Sequence, residues 1–225
     1  MTSFYPFISF QRRHFILAGV APWLVGLQSS SQAAPLPQKR PHRILVVGDS
    51  LSAEYGLKRG TGWVALLEKK LLAEKMSVQV INASISGDTT SGGRSRMPAL
   101  LAQHQPTLVV IELGGNDALR GLPLALTHDN LKTLTQMAQQ AHARVLLLGM
   151  QIPPNYGRSY AAAFSDAYAK IAQTQRVALV PFFPPRITEE PDSLKWFQAD
   201  RIHLKEAAHP LVLTHVWPAI QKGLQ

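Results

Sequence analysis

Five short apolar runs alternate with longer amphipathic segments, and this alternation limits the fold more than any other feature of the sequence. The runs cover residues 44–47, 78–82, 108–113, 144–149 and 177–181. They are rich in valine, leucine and isoleucine and lack a polar face, as in strands that are buried on both sides. The pattern favours βαβ units and predicts a three-layer α/β/α sandwich around a five-stranded parallel sheet.

The segments between the runs carry apolar residues near the helical period. In the first segment, Leu66, Leu67 and Leu71 form an apolar face, and charged residues occupy the opposite face. Pro210 and Pro218 limit the last segment, because proline interrupts the hydrogen bonds of a helix interior. We predict helices over residues 63–74, 95–103, 127–142, 161–173 and about 206–222.

The N-terminus is typical of an export signal. Arg12 and Arg13 precede an apolar stretch, residues 15–27, that is too short to span a bilayer but matches the apolar region of a signal peptide. Small residues follow and predict cleavage after Ala33. The arginine pair resembles a twin-arginine signal and also fits ordinary secretion, so both routes stay open. We expect an exported, periplasmic or secreted protein with a signal peptide over 1–33, a linker over 34–42 and one domain over 43–225.

Composition excludes some kinds of chemistry. The chain has no cysteine, so disulfides, thiol catalysis and cysteine-ligated zinc are excluded. The formal charge of +9 falls to about +7 without Arg12 and Arg13. The remaining cations alternate with acids, as in Glu68-Lys69-Lys70, which favours a solvated surface over a nucleic-acid interface. At most, we expect peripheral contact with an anionic membrane surface.

The loops after the predicted strands carry most of the reactive side chains. Loops that leave the carboxyl ends of parallel strands meet at one edge of the sheet, where α/β proteins bind ligands. The loops concerned contain Gly48-Asp49-Ser50-Leu51-Ser52, residues 82–89, Gly114-Gly115-Asn116-Asp117 and residues 151–157, and Asp200-Arg201-Ile202-His203 precedes the last helix.

Ser50, Asp200 and His203 are the side chains that nucleophilic catalysis by serine requires. A serine hydroxyl attacks when a base accepts its proton, and neutral imidazole suits this task. The spacing Asp-x-x-His lets the carboxylate orient the ring. Other interpretations exist, because Ser50 could be a helix N-cap, and His209 and His215 are rival bases. His209 has no Asp three residues before it, so His203 is favoured.

Other motifs point away from competing enzyme classes. The serine turn does not read Gly-x-Ser-x-Gly, which argues against an ordinary α/β-hydrolase. No Gly-x-Gly-x-x-Gly follows the first strand, so a dinucleotide enzyme is not expected, and no histidine pair has metal-ligand spacing. Asp49, Asp88 and Asp117 are interpreted as residues that fix loops.

Taken in order, these blocks resemble the GDSL or SGNH hydrolases, a family of serine esterases and lipases. The resemblance extends over about residues 43–220, and is strongest for bacterial thioesterase, lysophospholipase and arylesterase members. It implies a flavodoxin-like sandwich, with Ser50 as nucleophile, Asp200 and His203 as its partners, and no metal or cofactor. It also implies an oxyanion hole formed by the backbones of Ser50 and Gly87 and the side chain of Asn116.

The resemblance further implies hydrolysis of acyl esters and thioesters, including aryl esters and lysophospholipids, through an acyl-serine intermediate. Candidates for an apolar acyl groove are Leu122, Ile152, Pro153 and Tyr156. A deacetylase of carbohydrate or envelope esters is the alternative enzyme, and a non-catalytic lipid- or polymer-binding protein is the alternative class.

Three residues depart from the pattern of this family. Glu54 stands where a small residue is common, and Arg201 and Leu204 replace the Gly and Pro that often flank the final histidine. None of the three replaces a reacting group, so the departures concern the geometry of the turns and the entrance of the site.

Overall fold

The computed structural model describes residues 41–152, 156–181, 187 and 192–225. The predicted strands are confirmed as one parallel sheet with the order β2-β1-β3-β4-β5. The strands are β1 (His42–Gly48), β2 (Val78–Asn82), β3 (Leu108–Glu112), β4 (Arg144–Leu148) and β5 (Ala178–Val180). Their register places Gly48, the last residue of β1, beside Glu112, the last residue of β3.

Helices cover both faces of the sheet. They are α1 (Trp63–Ala73), α2 (Thr90–His104), α3 (Gly115–Leu119), α4 (Leu124–Gln140), α5 (Arg158–Gln175) and α6 (His209–Gly223), with short 3₁₀ helices at Ser193–Trp196 and Glu206–Ala208. On β1, Leu45 and Val47 face the core under α2, α4 and α5, and Ile44 and Val46 face the core under α1 and α6. The predicted three-layer sandwich is therefore confirmed. Within the described part of the chain, no helix has the length and apolarity needed to cross a membrane.

Two parts of the helix prediction were wrong. Helix α2 begins at Thr90, five residues before the predicted start, because the Thr89 side chain caps it by accepting the Gly92 N–H at 3.3 Å. Gly92 and Gly93 hide this start, since glycine has low helix propensity. Gly93 is nevertheless required by packing, because a β-carbon there would collide with Leu113.

The short helix α3 was predicted as a loop. It begins after Gly114, whose φ of 124° turns the chain sharply as it leaves β3. A β-carbon on Gly114 would collide with the Tyr168 hydroxyl group. The turn at the Gly114-Gly115 pair was expected, but five residues with two polar members carry no periodicity from which a helix could be predicted.

Candidate active site

Ser50 lies in a tight turn at the carboxyl end of β1, here called the nucleophile turn (residues 48–52). The Asp49 carbonyl accepts the N–H groups of Ser52 at 3.2 Å and Ala53 at 2.9 Å. The Leu51 N–H donates to Asp49 Oδ1 at 3.0 Å, which fixes the Asp49 side chain inside the turn. Ser50 itself is half-buried and lies at the edge of the sheet where ligands are expected.

The three predicted catalytic side chains meet in one hydrogen-bonded chain. His203 Nε2 lies 2.7 Å from Ser50 Oγ, and His203 Nδ1 lies 2.7 Å from Asp200 Oδ2. Ser50 and His203 are 153 positions apart, so the contact is purely tertiary. In this arrangement, a neutral ring with its proton on Nδ1 donates to the carboxylate and accepts from the serine hydroxyl.

The loop that carries the histidine, here called the base loop (residues 197–204), is organised around Asp200. Asp200 Oδ1 accepts the N–H groups of Ile202 and His203, both at 3.0 Å. Burial alone would raise the pKa of Asp200, but the hydrogen bonds from the His203 ring and from these two N–H groups outweigh it and lower the pKa to about 2. Asp200 is therefore ionised at neutral pH. Its side chain is 38% exposed.

The rival bases lie in other environments. His209 is buried, and its Nδ1 accepts the N–H of Trp63 at the start of α1 at 3.0 Å. Burial lowers the pKa of His209, which keeps the ring neutral as this acceptor role requires. His215 lies within α6. Of the three histidines considered, His203 is the one that the fold brings to Ser50.

Two of the predicted oxyanion donors are backbone N–H groups. Among the described residues, the backbone N–H groups of Ser50 and Gly87 donate no hydrogen bond. Gly87 has a φ of 79°, a conformation that glycine adopts without strain. The third donor, Asn116 Nδ2, donates to Asp49 Oδ2 and to the Asp88 carbonyl, each at 3.0 Å.

Two arginines hold the loop that carries Gly87, and neither was predicted from the sequence. Arg96 forms an ion pair with Asp88 at 2.9 Å and also donates to the Ala83 carbonyl. Arg120 donates to the Gly87 carbonyl at 2.8 Å. The spacing of Asp88 and Arg96 by eight residues was the available sequence signal, but charges at such a distance are too common to be informative.

A buried carboxyl group, Glu112, lies behind the nucleophile turn and was also missed as a site residue. Its Oε2 accepts the Asp49 N–H at 3.2 Å and the Ser52 hydroxyl at 2.6 Å, and the Trp63 indole in turn donates to Ser52 Oγ at 3.1 Å. A β-carbon on Gly48 would lie 2.6 Å from Glu112 Oε2, so the glycine leaves room for the carboxyl group. The sequence signal that could have identified Glu112 was an acidic residue at the end of an apolar strand.

The other acids do fix loops, as predicted. Buried Asp117 accepts the N–H and the hydroxyl of Thr90 at 2.9 and 2.5 Å, which ties α3 to the start of α2. Thr127 on α4 adds a longer hydrogen bond to Asp117 at 3.4 Å. Asp88 accepts the Thr89 N–H at 2.9 Å and pairs with Arg96, as described above. Asn116 is thereby held between two anchored loops.

The predicted groove residues have different surroundings. Ile152 is buried in the core cluster under α4 and α5, Leu122 is half-buried, and Tyr156 is exposed. Pro153 lies outside the described residues. The Leu122 N–H donates to the Asp117 carbonyl at 2.9 Å, which holds this loop close to α3.

The three departures from the family pattern lie in different structural settings. Glu54 and Arg201 have φ values of 60° and 59°, in the left-handed region where a side chain is strained. Glu54 offsets this strain because its carboxylate accepts the N–H groups of Gly60 and Gly62. Leu204 is buried and pairs with Phe197 in an isolated antiparallel bridge that closes the base loop.

A family model described as the GDSL-like lipase/acylhydrolase family matches residues 46–211. The esterase TesA of Pseudomonas aeruginosa is 50% identical over 184 residues, which cover 82% of this chain and 90% of that protein. The arylesterase of Vibrio mimicus is 40% identical over 198 residues, which cover 88% of this chain and 94% of that protein. Thioesterase 1/protease 1/lysophospholipase L1 of Escherichia coli K12 is 44% identical over 169 residues, covering 75% and 78%.

The fold agrees with a solved structure from the same group. A crystal structure of TesA superposes with a TM-score of 0.77 at 50% identity, covering 81% of this chain and 99% of that one. The match of the family model, the relatives at 40–50% identity and the superposition all concern the domain that carries Ser50. The chain therefore belongs to the GDSL-like lipase/acylhydrolase family and is an ester hydrolase.

Proposed function

We propose that ester hydrolysis in this protein uses Ser50 as nucleophile, His203 as general base and acid, and Asp200 as the residue that orients His203. The observation that carries this assignment is the continuous chain of two 2.7 Å hydrogen bonds from Ser50 Oγ through the imidazole to the Asp200 carboxylate. Such a chain activates a serine hydroxyl and stabilises the imidazolium that forms when the proton is taken.

The reaction then proceeds in two halves. Ser50 Oγ attacks the acyl carbon while His203 Nε2 takes the hydroxyl proton, and the Asp200 carboxylate stabilises the resulting imidazolium. The tetrahedral intermediate collapses, His203 protonates the departing alcohol or thiol, and the acyl group stays on Ser50 as an ester. Water attacks this ester while His203 Nε2 takes its proton. The acyl–Oγ bond then breaks, His203 returns the proton to Ser50 Oγ, and the acid leaves.

Three donors are available for the developing oxyanion. The N–H groups of Ser50 and Gly87 have no acceptor among the described residues, which supports this role. Asn116 uses one N–H on the Asp49 carboxylate and the other on the Asp88 carbonyl. We expect the oxyanion to share the second N–H, because a carboxylate is the stronger acceptor and keeps the first. Each donor contributes roughly 3 kcal/mol to the barrier reduction.

We assign acyl esters and thioesters as substrates, with lysophospholipids included. The names of the relatives support this range of substrates. Exposed apolar side chains on the loops around Ser50 also support it, because they offer surface to an acyl chain or to a lipid aggregate. These side chains are Tyr55, Ile85, Tyr156 and Ile202. Contact with a membrane would then be peripheral.

The acyl chain is proposed to run along Leu122 and Tyr156. Of the other two predicted groove residues, Ile152 is buried in the core and Pro153 lies outside the described residues. Support comes from the position of Leu122, which is held close to α3 and therefore to Asn116. The half-buried Leu122 side chain leaves apolar surface for a chain to cover.

Export is proposed from residues 1–33, which lie outside the described part of the chain. The basic pair Arg12-Arg13, the apolar stretch and the small residues before Ala34 support removal of this segment, and the protein would then work in the periplasm or outside the cell. Sequencing the N-terminus of the exported protein tests the predicted cut after Ala33.

The experiment that tests the mechanism measures hydrolysis of p-nitrophenyl esters from acetyl to palmitoyl, with an acyl-CoA series alongside. Ser50→Ala should lose roughly 10⁵- to 10⁶-fold in kcat. The matched control is Ser77→Ala, an exposed serine just before β2 at the opposite edge of the sheet. Equal activity of the two variants would refute the assignment of Ser50.

The same series tests the choice of substrate. Activity on medium and long chains supports an esterase of lipids and thioesters, whereas activity confined to acetyl esters would instead identify a deacetylase. Leu122→Ser should shift the preference towards shorter chains, because it removes apolar contact with the distal carbons. An unchanged chain-length preference would refute the groove.

A further inference from the structure

Two buried carboxyl groups face each other behind Ser50. Asp49 is 2% exposed and Glu112 is 0% exposed, and the Glu112 carboxyl group lies against Asp49, whose N–H it accepts at 3.2 Å. Two neighbouring carboxylate ions that are shielded from water repel each other strongly, which favours one proton for the pair. Neither group takes part in an ion pair with another described residue.

The contacts of Glu112 indicate which oxygen carries the proton. Oε2 accepts two hydrogen bonds, from the Asp49 N–H at 3.2 Å and from the Ser52 hydroxyl at 2.6 Å. Oε1 is buried and has no partner among the N–H and O–H donors of the described residues. A protonated Oε1 would donate to the Asp49 side chain and remove the cost of a buried oxygen without a partner.

The contacts of Asp49 are those of an acceptor. Oδ1 accepts the Leu51 N–H and Oδ2 accepts Asn116 Nδ2, each at 3.0 Å. We propose that Glu112 is a positioning residue, which stays protonated, donates its proton to the Asp49 carboxylate, and so holds Asp49 in the orientation that places Asn116 for catalysis. The catalytic part of this proposal rests on the proposed role of Asn116 as an oxyanion donor.

The electrostatic surroundings agree with a single shared proton. Burial, followed by the negative charge of Asp49, raises the pKa of Glu112 well above its ordinary value. Burial also raises the pKa of Asp49, to about 6, against the lowering effect of its donors and of His203. Tyr168 is a further buried titratable group near this pair: it donates to the Leu113 carbonyl, and burial, followed by its acidic neighbours, raises its pKa.

Glu112→Gln is the sharpest test, because the amide can accept the same two hydrogen bonds, donate to Asp49 and never ionise. A carboxyl group whose pKa is raised by folding destabilises the folded state increasingly as the pH rises above the pKa of that group in the unfolded chain, which is near 4.5 for glutamate. The Tm difference between the variant and wild type should therefore increase in favour of Glu112→Gln from pH 5 to pH 8, by roughly 3 °C or more.

Glu68→Gln is the matched control, since it removes one exposed carboxyl group on α1. A Tm difference for Glu112→Gln that rises no more with pH than that of Glu68→Gln would mean that Glu112 is already ionised, and would overturn the proposal. This readout requires no activity, so it stands even if Ser50→Ala shows that the proposed mechanism is wrong.

Kinetics test the positioning role. Glu112→Leu fills similar space but cannot donate to Asp49, so kcat should fall about tenfold or more while KM changes less than about threefold. Glu112→Gln should restore most of the kcat that Glu112→Leu loses. Equal loss of kcat in both variants would refute the donor role. If Glu112→Leu does not fold, Asp49→Asn is measured in its place. An amide has one oxygen, so it cannot accept from Leu51 on one side and from Asn116 on the other, and kcat should fall. An unchanged kcat would refute the role of Asp49 in placing Asn116.

Discussion

The nucleophile turn and the base loop are held in place in different ways. Asp49 and Ser52 in the nucleophile turn are 2% exposed, and both interact with the fully buried Glu112 on the neighbouring strand. In the base loop, the Asp200 side chain is 38% exposed, and its partners are its own near neighbours, Ile202 and His203. The carboxyl group that fixes the nucleophile turn acts over about sixty positions of sequence, and the one that organises the base loop acts over three.

This difference reflects what each region has to do. Oxyanion donors are effective when they are already in place before charge develops, so their scaffold must not reorganise. The base must turn its Nε2 first towards serine and then towards a leaving group or water, and an exposed loop allows this without disturbing the core. Gln198 connects the base loop to the segment that follows the nucleophile turn, because its Nε2 donates to the Tyr55 carbonyl at 3.0 Å. The same atom donates to the Leu204 carbonyl within the base loop, also at 3.0 Å.

The largest effect should come from the base loop itself. His203→Ala should lower kcat by about 10⁶-fold and Asp200→Asn by about 10⁴-fold, because an amide cannot stabilise the imidazolium. The double variant should be no slower than His203→Ala, since both residues act through one ring. Steady-state kinetics against the exposed control Asp166→Asn measure this. A loss below tenfold in Asp200→Asn would mean that Asp200 does not orient His203.

An intermediate effect is expected where the two regions are joined. Gln198→Leu removes both hydrogen bonds, and it should lower kcat several-fold and the free energy of unfolding by about 1–2 kcal/mol. Gln139→Leu is the control, because Gln139 donates a comparable hydrogen bond to the Gln175 carbonyl between α4 and α5. Gln139→Leu should lower the free energy of unfolding without lowering kcat. If Gln198→Leu also leaves kcat unchanged, the base loop positions His203 without this connection.

The smallest effect separates two residues with the same backbone strain. Arg201→Gly should raise the free energy of unfolding by about 0.5 kcal/mol, because glycine relieves the left-handed φ and no hydrogen bond is lost in exchange. Glu54→Gly should lower it by about 1 kcal/mol, because the acceptor for Gly60 and Gly62 disappears. Urea unfolding measures both. If both variants change the free energy of unfolding in the same direction, backbone strain alone would determine the effect of glycine at the two turns.

Most of the fold and the residues of the hydrogen-bonded chain could be predicted from the sequence. The five strands were identified within about two residues, because buried parallel strands are continuous apolar runs. The start of α2 was missed because Gly93, which packs closely against Leu113, has low helix propensity. Helix α3 was missed because its five residues are too few to show a helical period. Propensity is a local property, and packing overrides it.

The sequence by itself determined the local chemistry of the site. Asp200 and His203 are three residues apart, so one turn of backbone brings their side chains together, and the order of the strands places Ser50 at the edge where ligands bind. Only the tertiary structure decided that His203 and not His209 meets Ser50, and that Glu112 lies against Asp49. The contact of Glu112 with Asp49 depends on the register of β1 against β3, and the contact of His203 with Ser50 joins positions 153 residues apart, so neither is local in sequence.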